Sequence, residues 1–311
     1  MGLENPQRIS VIDPIGPAIE HVRLMLFKPF DLSKWFIIGF CAWLAQLGKG
    51  GGGGGGNGWR EKNFDPGFHA IRESVLAHLA VIIFVGAIVI PIIIIIVLAL
   101  CWLRSRGQFM FVHCVAGNKA EVTVPWNKFA RHGNSLFLFR IVLGFIGFLV
   151  IGLPVAAAVF AGFVMCATGF NPAAIMGLTG AIFIVAVVAI LFGLIAKFTT
   201  DFVVPIMFLN TESCVAGWKQ CLALISDNKA QMLLYILFQI AIFMAIAFIS
   251  LTICLVTCCC CCCCCCLLVF FVLPYIGTVI LLPLIAFKRA YSLFYLRQFG
   301  TQFDVFSGQP A

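Results

Sequence analysis

The sequence predicts an all-α integral membrane protein: a helical bundle of about six transmembrane helices, with amphipathic helices lying at the membrane interface. Three observations predict it. Of the 311 residues 62% are apolar and only 10% are charged, against about 25% charged in soluble domains, so the chain has too little polar surface to coat a soluble globule. The mean hydropathy of +1.10 agrees. The Lys and Arg residues stand at the ends of apolar runs, where topology-setting charges belong. The net charge of +8 is therefore read as membrane topology. No Lys/Arg block of the kind that grips phosphates along a duplex is present, so no nucleic-acid partner is expected.

Residues 1–30 form an interfacial segment. Asp13-Pro14 gives a cap and a first-turn proline. Ile15, Ala18, Ile19, Val22, Met25 and Leu26 then fall at helical spacing, with Glu20, His21 and Arg23 off that stripe. This is the pattern of a helix lying in the interface, and Pro29 ends it. The charged start and the lack of a small-residue cleavage site argue against a secretory signal peptide, and Pro6 breaks the myristoylation pattern.

Six apolar segments follow, at about 31–47, 75–103, 141–165, 173–196, 231–256 and 267–287. The first is recapped by Asp31-Leu32-Ser33, and its 17 residues are at the lower limit for crossing, so a re-entrant path stays open. Residues 48–58 are an outer Gly-rich loop. No Gly-Lys-Ser/Thr closes it and no strand precedes it, so it is a flexible connector and not a phosphate loop. The second span contains Pro91, which lipid-embedded helices keep when neighbours satisfy the freed carbonyl. The third carries Gly144, Gly147 and Gly152, small residues that let helices approach closely. Lys197 and Asp201, four residues apart at the end of the fourth, are placed for an ion pair. Ser213 to Asp227 reads as a second amphipathic helix, striped by Cys214, Val215, Trp218, Cys221, Leu222 and Ile225. Residues 288–311 are a cytoplasmic tail whose Tyr291, Phe294, Tyr295 and Phe299 form an interfacial aromatic pattern.

With six spans and both termini in the cytoplasm, sixteen of the twenty Lys and Arg residues lie inside. If the first segment does not cross, the split falls to twelve against eight. The positive-inside rule thus favours six spans with both ends cytoplasmic. An internal echo supports the layout. Met110-Phe111, Trp126 and Asn134 recur as Met207-Phe208, Trp218 and Asn228, each set bridging one span and the next.

Several segments resemble an uncharacterised family of bacterial multi-span membrane proteins, a domain of unknown function. They are Asp31-Leu32-Ser33-Lys34-Trp35-Phe36-Ile37-Ile38-Gly39-Phe40-Cys41-Ala42-Trp43-Leu44, Gly107-Gln108-Phe109-Met110-Phe111, Asn134-Ser135-Leu136-Phe137-Leu138-Phe139-Arg140, Asp201-Phe202-Val203-Val204-Pro205-Ile206-Met207 and Lys288-Arg289-Ala290-Tyr291-Ser292-Leu293. The likeness is also distantly similar to the membrane domain attached to some glycerophosphodiester phosphodiesterases. It implies a bacterial multi-span helical protein and carries no activity or functional residue with it.

Catalysis is not expected. Of twelve carboxylates none is placed well inside a span, Asp201 at an end being the nearest. No HExxH, nucleophile elbow or phosphate loop occurs. No catalytic or cofactor-binding residue is singled out and no cofactor is expected. His69, Glu73 and His78 share a helical region and read as a solvated helix start in preference to a metal site. The interiors of the spans offer only Tyr235, Gln239, Ser250, Thr252 and few other polar groups, which disfavours a proton-coupled carrier. The candidate metal ligands are the nine consecutive thiols Cys258, Cys259, Cys260, Cys261, Cys262, Cys263, Cys264, Cys265 and Cys266, at the outer tip of the last hairpin. Three readings of this run stay open: a tolerated small-apolar repeat, disulfides formed in an oxidising compartment, and soft-metal binding. The expected function is a non-catalytic membrane protein that acts as an assembly or scaffold subunit. Its partners would be the lipid bilayer and either further copies of itself or other membrane proteins. The alternatives are a channel or small-solute transporter, and a thiol-based metal-binding or redox protein.

Overall fold

A computed structural model of the chain describes residues 9–47, 79–168, 172–210, 213–260 and 274–307. Among these residues every regular element is helical. The elements are α1 (Ile15–Phe27), α2 (Leu32–Gln46), α3 (Leu79–Gly117), α4 (Thr123–Lys128), α5 (Ala130–Thr168) and α6 (Pro172–Phe198). A π-helical turn (Thr199–Val203) leads into α7 (Val204–Asn210), followed by α8 (Cys214–Asp227), α9 (Lys229–Cys260), α10 (Pro274–Ile280), α11 (Leu282–Arg297) and a 3-10 turn (Thr301–Phe303).

Four helical stretches are long and apolar enough to cross a membrane among the described residues, where the sequence predicts six. They are α3, α5, α9 and the run of α6 through the π turn into α7. Helix α3 has 39 residues and keeps Pro91 inside it, a length of roughly 58 Å at 1.5 Å per residue. It does not stop at Leu103, and α5 begins eleven residues ahead of Ile141. Helix α2 has 15 residues, roughly 22 Å against a hydrocarbon core of about 30 Å. Residues 267–273 lie outside the described residues, and α11 continues past Phe287 to Arg297.

The packing divides these helices crosswise. At one end a single apolar cluster joins α1, α2, the last third of α3, the start of α5, α7, α8, the start of α9 and α11. Phe109, Met110, Leu136, Phe202, Met207, Tyr235, Tyr291 and Tyr295 are fully buried there. At the other end the apolar lengths are bare: Val81 to Leu100 of α3 are exposed along almost every position, as are most apolar residues from Val142 to Phe163 and from Leu233 to Leu255.

Close approach requires small residues at two crossings of the core. A Cβ on Gly107 of α3 would stand 2.6 Å from Leu44 Cβ and 2.8 Å from the Ala45 nitrogen of α2, and one on Gly39 would stand 2.7 Å from Val279 Cγ2. Polar contacts fix the termini. Asp31 caps α2 by accepting from the Ser33 N–H at 2.8 Å. Trp35 Nε1 donates to the Leu26 carbonyl at 2.7 Å. Tyr291 Oη donates to the Val11 carbonyl at 2.8 Å, and Gln298 exchanges two hydrogen bonds with the Ser10 backbone.

Three expectations change. The stripe of α1 does not lie bare at an interface: Ala18, Val22, Met25 and Leu26 are buried in the chain's own core, while Ile19 is exposed. In α8 the inward face is Cys214, Gly217 and Cys221, and Val215 and Leu222, from the expected stripe, are exposed. Tyr291 and Tyr295, read as an interfacial pattern in a tail, belong to α11 and are buried, with Tyr235 and Tyr295 stacked at 4.6 Å. Each change has one cause. These segments bury against partner elements distant in sequence, and periodicity cannot tell a partner helix from a membrane surface.

Candidate functional site

The site lies where α6 gives way to the π turn. Val204 donates its N–H to the Thr199 carbonyl, the i to i−5 bond of a π turn. Residue 205 is proline and has no N–H to give. The Thr200 carbonyl thus loses both backbone donors in reach: residue 204, already used, and residue 205, which has none. The guanidinium of Arg289, from α11, fills the gap by donating from Nη1 to that carbonyl. A π turn inside a longer helix is a frequent mark of function.

One turn of the helix also presents Lys197 and Asp201, and the expected ion pair between them is present. It is part of a closed ring. Lys197 Nζ donates to Gln239 Oε1 at 3.0 Å. Gln239 Nε2 donates to Tyr235 Oη at 3.0 Å, and Tyr235 Oη donates to Asp201 Oδ2 at 3.0 Å. Asp201, Tyr235 and Gln239 are all buried. A carboxylate expected at a helix end is therefore an interior group, because the helix runs on to Asn210. Tyr235 and Gln239, two of the few polar groups in the apolar runs, are its partners.

Beside the ring is a cavity of about 300 Å³ between α2, α3, α6, the π turn and α11. Four cations line it, Arg104, Lys197, Lys288 and Arg289, with one carboxylate, Asp201. Arg289 is only 6% exposed, and its Nε and Nη2 have no hydrogen-bond partner. Arg104 Nε, Gln46 Nε2 and Gln108 Oε1, also on the wall, have none either. Burial pulls the Arg289 guanidinium down to about 10, with Asp201 opposing the shift, so it stays charged at neutral pH. Burial also lowers Lys288, and the Lys197 charge adds to the effect.

Sequence reasoning found the Lys197–Asp201 pair but not the convergence of Arg104, Lys288 and Arg289 on it. One signal was available: Pro205, four residues after Asp201 in a run that reads as helix, forces a backbone irregularity beside a charged residue.

The remaining sequence candidates are placed as follows. The backbone of Cys258–Cys260 forms the last turn of α9. Cys261 to Cys266, the Gly-rich stretch 48–58 and the group His69, Glu73 and His78 lie outside the described residues. Among the described residues no three His, Cys, Asp or Glu side chains are grouped to hold a metal. Cys41 and Cys114 face each other with sulfurs 3.8 Å apart, both buried as free thiols.

A family model described as a family of unknown function, DUF7544, matches residues 9–306. No curated protein matches the chain. No solved structure matches it.

Proposed function

We propose, from the premise that the chain belongs to the DUF7544 family of unknown function, that it is a non-catalytic integral membrane protein acting as an assembly subunit. In this reading the compact end is cytoplasmic, the four apolar lengths stand in a bacterial inner membrane, and they associate there with further copies or with other membrane proteins. One observation carries the reading. Within the α5–α6 pair, Gly147 meets Phe192 and Gly177 meets Ala161, while Gly144, Gly152, Gly162 and Gly180 have nothing within 4 Å of an added Cβ. Small residues in lipid-facing helices serve close helix contact, and the chain itself uses only some of them.

The test is the state of the protein in mild detergent and in native-membrane nanodiscs. An oligomer, or a stoichiometric membrane partner, is expected, and Gly144→Leu with Gly152→Leu should weaken it at least tenfold. A single monomer at all concentrations, with no partner recovered from the source membrane, sinks the reading.

A second reading, a small-solute transporter, is favoured by the buried ring of Lys197, Asp201, Tyr235 and Gln239, since ionisable groups at the base of membrane helices mark solute paths. Its test is flux of ions or small solutes into reconstituted vesicles, compared between the wild type and Asp201→Asn. Equal leakage from protein-free vesicles would remove its support.

A further inference from the structure

We infer that the cavity between α2, α3, α6 and α11 is a binding site for a phosphate group, and that its source is the headgroup of an anionic phospholipid. The inference goes beyond the assembly reading and does not rest on it.

The charge balance excludes most other ligands. Arg104, Lys197, Lys288 and Arg289 face the cavity against Asp201 alone, and Asp201 is already neutralised by Lys197 and bonded to Tyr235. A metal cation or an amine would meet repulsion there. An oxyanion would meet attraction, on walls whose Arg289, Arg104 and Gln46 side chains each carry a nitrogen without a hydrogen-bond partner.

Those donors are specific. A buried guanidinium left with Nε and Nη2 unpaired is costly, since burying a charge without hydrogen bonds forfeits its hydration. Nε and Nη2 lie on one edge of the guanidinium, the edge that takes two oxygens of a phosphate or carboxylate side by side. Arg104 Nε and Gln46 Nε2 are further unpaired donors on the same wall. The third nitrogen of Arg289, Nη1, is held by the Thr200 carbonyl. The π turn thus fixes the fork and leaves its outer edge buried and unpaired.

Position selects the source. Leu100, the last exposed apolar residue of the long run on α3, is one turn ahead of Arg104. Ile190 on α6, exposed and on the same face, is about two turns ahead of Lys197. Gly193 and Ala196 line the cavity on the same helix, and Gly193 has open space at its Cβ. Apolar helix surface therefore runs directly into the cationic pocket. This is the profile of a lipid, with chains along α3 and α6 and a phosphate at the level where the charged residues begin. The volume of about 300 Å³ is at the lower bound of small-molecule pockets, enough for a headgroup and not for a nucleotide-sized ligand.

The experiment uses the full chain in dodecyl maltoside. It is titrated separately with dioleoylphosphatidylglycerol, dioleoylphosphatidylcholine and inorganic phosphate. Thermal stability and lipid adducts in native mass spectrometry are followed. Phosphatidylglycerol should raise the melting temperature and be retained as an adduct, with at least about tenfold preference over phosphatidylcholine. Arg289→Gln is the direct variant, but it uncaps Thr200. The decisive variant is Arg104→Gln with Lys288→Gln, both partly exposed, which should lose at least about tenfold in phosphatidylglycerol affinity. Arg131→Gln, an exposed cation outside the cavity, should lose nothing. Equal phosphatidylglycerol binding by the wild type and the double variant overturns the site. Stabilisation by inorganic phosphate that the double variant abolishes, with no preference for phosphatidylglycerol, overturns the lipid source.

Discussion

Replacing Gly107 by alanine tests the fold at its tightest described crossing. A Cβ there meets Leu44 Cβ at 2.6 Å, the Leu44 carbonyl carbon at 2.7 Å and the Ala45 nitrogen at 2.8 Å, where ordinary contact begins at 3.4 Å. Two of these atoms are backbone and cannot rotate away, so α2 and α3 must part by roughly 0.6–0.8 Å, a gap that forfeits about a quarter to a half of each dispersion contact it opens. Cys41, Leu44, Ala45 and Met110 all lie buried in this region. Overpacking costs about 1–3 kcal/mol, and the upper end applies here because the obstacle is rigid. The better helix propensity of alanine returns about 1 kcal/mol. The net loss is about 2 kcal/mol, or about 3 °C in melting temperature for a chain of 311 residues. The assay is thermal unfolding in one detergent, with Gly144→Ala as control. Gly144 has nothing within 4 Å, so that variant should match or slightly exceed the wild type. A Gly107→Ala protein that melts at or above the wild type refutes the crossing.

Three further outcomes are expected. Tyr235→Phe removes one oxygen and no packing, and leaves the Gln239 Nε2 donor unpaired; the loss should be about 1–3 kcal/mol, and an unchanged melting temperature would show the ring to be inconsequential. Burial pushes the Cys214 and Cys221 thiols up to about 12, so at pH 8 only about one in 10⁴ is thiolate; peptide mapping after iodoacetamide treatment of the native protein should find both unmodified, and alkylation at the rate of a free peptide thiol would contradict their burial. If the run from Cys258 to Cys266 lies on the outer face, a membrane-impermeant maleimide should label intact cells, and changing all nine to Ser should remove that label; labelling only after permeabilisation would reverse the proposed topology.

How much of this was legible in the sequence depends on the range of the interaction involved. Helical class, four of the six expected apolar lengths, the Asp31 cap, the Ser213 start of α8 and the Lys197–Asp201 pair are all local, and local pattern found them. The inward face of α8 was legible only in part, because Cys214 and Cys221 look no more buried than Val215 or Leu222 until Val203 and Met207 close on Gly217, where an added Cβ would stand 3.1 Å from each. The aromatic residues of α11 look the same whether they meet headgroups or Tyr235. The cavity is the extreme case: its cations come from positions 104, 197, 288 and 289, each of which alone reads as a charge at the end of an apolar run.

The two polar systems at this junction differ in completeness, and that difference separates their roles. No Asp, Glu, Lys or Arg occurs from residue 79 to 103, from 141 to 196 or from 230 to 287, so the charged groups of the described helices gather at one end, where the core is. Within that end the ring of Lys197, Gln239, Tyr235 and Asp201 is closed. Each member gives or takes within the group, and α6 is thereby pinned to α9. A closed ring is a sufficient account of its own burial, because buried polar groups persist when every partner is present. Arg289 and Arg104 are not closed. Their unpaired nitrogens are buried beside a cavity lined by two further cations, and the one carboxylate on its wall, Asp201, is already paired with Lys197. A fold that needed only a clamp between α11 and the π turn could place a neutral donor at position 289 and avoid the cost of a buried charge. Keeping a guanidinium there, with one nitrogen anchored and one edge left without a partner beside a cationic cavity, is the arrangement of a receptor for an oxyanion.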